Sequence, residues 1–256
     1  MTQNAPEWFL VGEVVAPQVM QRIADIVSAN KMCLQVRYAP LLAHWFMSDS
    51  LLIANRSNRD GMHANAIVSL RQCVEAISVI ELGICGHAEA ESILLKWEED
   101  DLVAGKLRHW LQHNVWVHYG LGLWDEPWHV FMGELAAAVQ PYAHYGISLA
   151  QWQLRWHGFL DEAPEKNITT HGLIEVCPRA YDPQKATRIT LFHGIIIYIL
   201  GRILIAANRT DHEFYSLIKS YGVALGKSRY LDGRSTNWGQ QFWAIMWKHG
   251  GGTILE

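Results

Sequence analysis

The chain has 256 residues, 50% of them hydrophobic and 18% charged, with a formal net charge of −4. That balance excludes a disordered chain, which needs low hydrophobicity and high charge, and a molecule whose overall charge attracts nucleic acid. With 20 Gly and 8 Pro the chain is also too poor in both for a fibrous or linker-rich protein.

In chain order, Pro17 opens the first predicted helix, Gln18 to Asn30, with Val19, Met20, Ile23, Ile26 and Val27 at helical spacing. The second runs from Pro40 to Asn55. Ser57 then caps a third, with Asp60 three positions on. That third helix carries an apolar series from Ala64 to Ile84 and stops at Gly83 and Gly86. A fourth spans Glu89 to Val103, and its acidic run Glu98 to Asp101 reads as a solvated face. Gly105 kinks it or divides it from a helix over Lys106 to Val117. Gly120, Gly122, Asp125 and Pro127 mark a turn. Helix resumes over Pro127 to Val139 and again over Pro141 to Trp156.

Residues 158–183 break the pattern. Ile168 to Thr170 and Leu173 to Val176 flank His171-Gly172, which suits a small hairpin. Asp182-Pro183 is an N-cap followed by proline at the first helical position. Within the helix that follows, Ile189 to Ala207 is long enough for a minimal membrane span. His193 and Arg202 inside it argue instead for a buried central helix in which both find polar partners. Thr210 to Glu213 is a capping box for a short helix, Gly222 to Gly239 a loop, and Trp238 to His249 a last helix. The predicted architecture is therefore all-α, a single-domain helical bundle over 1–256 with an irregular insertion near 158–183, and no membrane association. Met1 to Pro17 lacks the basic-then-apolar pattern of a secretion signal, and the four cysteines form no CxxC pair. A cytoplasmic protein with buried free thiols at Cys73 and Cys85 is expected.

Twelve Trp and thirteen His are the unusual features. Trp110, Trp152 and Trp156 belong to a Trp-rich middle that suits either an aromatic ligand pocket or simple core packing. His109 and His113 share a helix face. Metal sites use that spacing, but Trp110 stands where a metalloprotease has Glu, and no metal or cofactor is expected. Arg71 and Glu75 are spaced for an ion pair, either exposed or partly buried along a cleft, with Glu81 adding negative charge nearby. There is no GxGxxG, no GxxxxGK[ST] and no GxSxG.

The stretch Asn65 to Ile77, and the segment Phe131 to Tyr142 with Gln140 where His is common, resemble helices of HEPN-like bacterial proteins. The resemblance implies an all-helical ribonuclease or toxin of a defence system, acting as a homodimer on RNA without a metal, and an antitoxin or defence partner. Its Arg followed by His after four to six residues matches Arg37/His44, Arg56/His63, Arg108/His113 and Arg188/His193. Arg108 with His113 ranks first as the catalytic pair and Arg188 with His193 second. Arg would hold phosphate and His would move the proton of a 2′-hydroxyl. His109, Arg71, Glu75, Trp110, Trp152 and Trp156 are the candidate substrate-binding residues. Lys219, Lys227, Arg229 and Arg234 make a local basic rim. Two other classes remain open: a non-catalytic helical interaction protein, and a small-molecule or metal enzyme built on the Trp- and His-rich middle.

Overall fold

Nine α-helices and one two-stranded sheet make up the regular structure among residues 5–159, 172–179, 181–208 and 210–228, which the computed structural model describes. In order they are α1 (Glu7–Ser28), α2 (Ala39–Arg59), α3 (His63–Leu82), α4 (Ala90–Glu98), α5 (Ala104–Asn114), α6 (Trp128–Val139), α7 (Ile147–Ala150), β1 (Leu154–Phe159), β2 (Gly172–Val176), α8 (Pro183–Ala207) and α9 (His212–Gly226). Short 3-10 turns lie at Trp116–His118, Gln140–Tyr142 and Gln151–Gln153. The all-α expectation with a small β insertion holds.

The core is built around α8. The sequence made it apolar on every side, and α1, α2, α3 and α9 pack against it. Among the described residues α8 is the one helix long and apolar enough to cross a membrane, and 78% of its most apolar stretch is buried inside the protein. Asp182 caps it as expected, accepting from the amides of Gln184 (2.9 Å) and Lys185 (3.2 Å), with Pro183 in the first turn.

Several boundaries differ from the sequence reading. α1 begins ten residues before Pro17, because Trp8 and Val15 bury on the same face as Val19 and Ile23. Pro17 is exposed, so the carbonyl it leaves unbonded can meet solvent. α2 runs through Ser57, which caps nothing. Asn58 is drawn into the interior, where its amide nitrogen donates to the Ala186 carbonyl (2.9 Å). Gly61, at φ +75°, makes the turn into α3. The helix expected over Pro141 to Trp156 is four residues of helix and two tight turns leading into β1. β2 was foreseen, but its partner is β1, in an antiparallel pair irregular between Trp156 and Gly158; the expected strand Ile168 to Thr170 lies outside the described residues. Asp211, not Thr210, caps α9 by accepting from Phe214 N (2.9 Å). Gly222 lies inside that helix, and the predicted last helix lies outside the described residues.

A buried lysine fastens the sheet to the core. Lys185 is 2% exposed, and its ammonium donates to the carbonyls of Gln151 and Leu154 beneath the Trp152 ring. Burial lowers its pKa to about 8, with Asp182 opposing the fall and Arg188 adding to it. Replacing Lys185 with Met strands both carbonyls, and such loss costs about 1–3 kcal/mol for a buried acceptor. A lower urea midpoint and faster amide exchange in β1 and β2 are expected; an unchanged exchange pattern would show that the sheet is held by other means.

Candidate functional site

A cleft of about 890 Å³ lies between the segment from Tyr119 to Asp125 and the outer faces of α8 and α9. The segment is shaped by its own polar groups. Gly122 N donates to the Glu126 carbonyl (2.7 Å) and Trp128 N to the Gly120 carbonyl (2.8 Å). The Glu126 carboxylate turns inward to accept from the amides of Leu123 (3.1 Å) and Trp124 (2.8 Å). A Cβ on Gly122 would stand 1.9 Å from that carboxylate, so a side chain there would displace the Glu126 carboxylate from its two amides. On the opposite wall a Cβ on Gly222 would meet the Tyr198 ring at 2.7 Å.

Arg202 joins the two walls. Its guanidinium donates to the carbonyls of Leu121 (2.9 Å) and Tyr119 (2.8 Å) and to the Tyr198 hydroxyl (2.8 Å). It also lies 4.8 Å from the centre of the Trp128 ring. The expectation that Arg202 finds polar partners is met. His193 differs. Its Nδ1 is buried with no hydrogen-bond partner, beside a cavity of about 100 Å³ that Glu13, Asn55 and Thr190 also line. Burial lowers its pKa to about 4, so the ring stays neutral and the cost of an unpaired charge does not arise.

The ranked pairs do not converge within one chain. Residues five apart on a helix lie about 140° apart around the axis. Arg108 is half-buried toward α3, where Glu75 and Arg71 act on its charge. His113 is exposed, its Nδ1 bonded to the His109 carbonyl (2.8 Å), with the two rings 4.2 Å apart. No group of three or more His, Cys, Asp or Glu suited to a metal exists among the described residues. Arg188 is 1% exposed, inside the core near Lys185. Arg56 is exposed while His63 is buried; His63 accepts from Asp182 N (3.0 Å) and pairs with Asn58 Oδ1 (2.9 Å), which fixes its proton on Nδ1.

The proposed substrate-binding residues are scattered. Arg71 and Glu75 form the partly buried version of their pair, 2.7 Å apart with side chains 12% and 35% exposed. Glu75 lines an apolar groove of about 590 Å³ between α2, α3 and the α4–α5 region. Trp110 stands edge-on to His87 at 5.0 Å. Trp152 is buried, as are Trp116 and Trp128, so these three Trp belong to the core. Trp156 pairs with Ile174 in the sheet, and its side chain is outside the described atoms. In the basic rim Lys219 and Lys227 are exposed, and Arg229 and Arg234 lie outside the described residues.

Two features were not foreseen. Glu81 does not join Arg71 and Glu75. It is 0% exposed, and its Oε2 accepts from Trp116 Nε1 (2.7 Å), while Oε1 and the nearby Tyr119 hydroxyl have no hydrogen-bond partner. Burial pushes its pKa up to about 7. The other is a stripe along α2. Leu42, Trp45, Phe46, Leu52 and Ile53 are each 48–57% exposed. They follow the three-and-four spacing that marks a packing face, and Tyr38, Leu42 and Phe46 continue it into the Glu75 groove.

Fold and surface together define an all-α protein with a helix face bared for packing and a cation-lined cleft. No family model, curated protein or solved structure matches this chain.

Proposed function

We propose that this chain is a helical interaction protein that pairs with a second copy of itself through the exposed face of α2. The carrying observation is the stripe of Leu42, Trp45, Phe46, Leu52 and Ile53, since large contiguous apolar patches mark association sites. Its polar members fit a two-fold arrangement. With two α2 helices antiparallel about an axis between Leu52 and Ile53, Asp49 of one copy meets Arg56 of the other, twice, and Phe46 meets Arg59. Asp49 and Arg56 are both exposed, and neither forms an ion pair among the described residues. The half-exposed side chains offer roughly 500 Å² per copy, so the pair buries about 1,000 Å², the lower edge for a specific interface. The burial of α8 inside the protein supports a chain that does not cross a membrane, and a cytoplasmic location is part of the proposal.

Sedimentation should therefore give a dimer with a micromolar dissociation constant. Asp49→Arg and Arg56→Asp should each weaken it about tenfold by setting like charges opposite one another, and the double exchange should restore it. A monomer at about 100 µM, the weak end for a functional pair, or a dimer indifferent to all three variants, would sink the reading.

One observation favours a second reading, the HEPN-like ribonuclease of a defence system acting on RNA. His109 and His113 lie side by side at the surface of α5, their rings 4.2 Å apart and inclined at 51°, on the helix that also carries Arg108. That reading requires RNA cleavage in EDTA that falls at least tenfold in His113→Ala, an order of magnitude typical of a lost acid–base group. Equal cleavage by both proteins, or none by the wild type, removes it.

A further inference from the structure

The cleft beside Arg202 has the size and apolar walls of a small-molecule site. Its charges are unbalanced. Arg202 comes from α8, and Lys219 and His212 lie two turns apart on α9. Among the described residues Asp125 is the one carboxylate in the lining. Glu126, next to it, directs its oxygens at the amides of Leu123 and Trp124 and away from the cavity.

Arg202 is the unusual member. Its bonds all run to neutral acceptors, two carbonyls and a hydroxyl, and it forms no ion pair among the described residues. A guanidinium fixed in this way, over the Trp128 ring, is held in place before any ligand arrives, so little side-chain freedom is lost on binding. Lys219 is exposed and also lacks an ion pair among the described residues. Ile205 from α8 and Val223 from α9 add apolar side chains to the same lining. A cleft that offers both unpaired cations and apolar side chains suits a molecule with a negative head and a hydrocarbon body.

We infer that the cleft binds a small amphipathic carboxylate, its head between Arg202 and Lys219 and its apolar body along Ile205 and Val223. A carboxylate can accept from the guanidinium edge and from the ammonium together. The cleft, about 890 Å³, lies within the span of ligand pockets and has ample room for an eight-carbon chain or an aromatic acid. The inference is independent of α2 and of self-association, because the cleft lies on α8, α9 and the Tyr119–Asp125 segment.

Calorimetric titration with octanoate, 1-octanol and octylamine tests it. These probes share one hydrocarbon and differ in the head. Octanoate is expected to bind saturably, one per chain, at least tenfold tighter than octanol, with no octylamine binding. Lys219→Glu, an exposed change on α9, should cut octanoate affinity about tenfold without moving the melting temperature, and Val223→Trp should abolish binding by filling the cleft. Arg202 is left intact because it holds the loop. Octanol binding as tightly as octanoate, octanoate affinity unchanged in Lys219→Glu, or no octanoate binding at millimolar concentration would each overturn the proposal.

Discussion

At pH 8, Glu81→Gln should be more stable than the wild type by an amount on the order of 3 kcal/mol. Glu81 is sealed in the core, and burial raises its pKa to about 7 from an unfolded value near 4.5, with the Trp116 hydrogen bond opposing the rise. Between those values the folded state binds the extra proton, so stability falls as pH rises from about 4.5 to about 7 and then stays low. Gln removes that loss. It keeps an acceptor for Trp116 Nε1 and places a neutral amide beside the Tyr119 hydroxyl. Urea unfolding at pH 5 and pH 8 measures the effect. A variant no more stable than the wild type at pH 8 would mean that Glu81 ionises freely in the fold.

The acid limb has the opposite sign and a different origin. His63 and His193 are held neutral, each with a pKa lowered by burial to about 4 from 6.5. In the window from about 6.5 down to about 4 the unfolded chain takes up protons that the folded chain refuses. Each ring thus contributes stability on the order of 3 kcal/mol that is complete above pH 6.5 and lost as pH falls through that window. Two rings outweigh the one carboxyl, so the combined contribution of these three groups should peak near pH 6.5. His193→Leu should flatten most of the acid limb, because the one remaining ring and Glu81 then oppose each other over the same window. His63 is the less suitable target, since its ring also bridges Asn58 and Asp182. An acid limb as steep in His193→Leu as in the wild type would assign the loss to other groups.

What the sequence revealed is what local chemistry controls. The Asp182-Pro183 cap was legible because both residues act on the turn they begin, and α3 because twenty residues of apolar pattern outvote any single position. Ser57 and Thr210 misled for the converse reason. Each has the right chemistry for a cap, but Asn58 was claimed by the distant Ala186 carbonyl and Asp211 reached Phe214 first. Arg202 was recognisable as a charge needing acceptors. Those acceptors are backbone carbonyls some eighty positions upstream, at Tyr119 and Leu121, and every residue has a carbonyl, so no side-chain pattern marks them. The α2 stripe was visible as part of a helix rich in Leu, Trp, Phe and Ile, but a sequence does not say which half of such a helix the core takes. Within one chain the Arg-to-His spacings do not bring the two side chains together, because five positions on a helix turn the second away from the first.

The packing of α1 against α8 and α9 also bears on synthesis. Between Ser28 and Pro183 lie about 150 residues, which a ribosome adds in about 8–30 s. Throughout that interval Val15, Val19, Ile23 and Val27 have emerged while the surface they fit has not been made. The nascent chain must carry this bare greasy ridge through most of its elongation, which makes α1 a natural place for a chaperone to hold until α8 arrives.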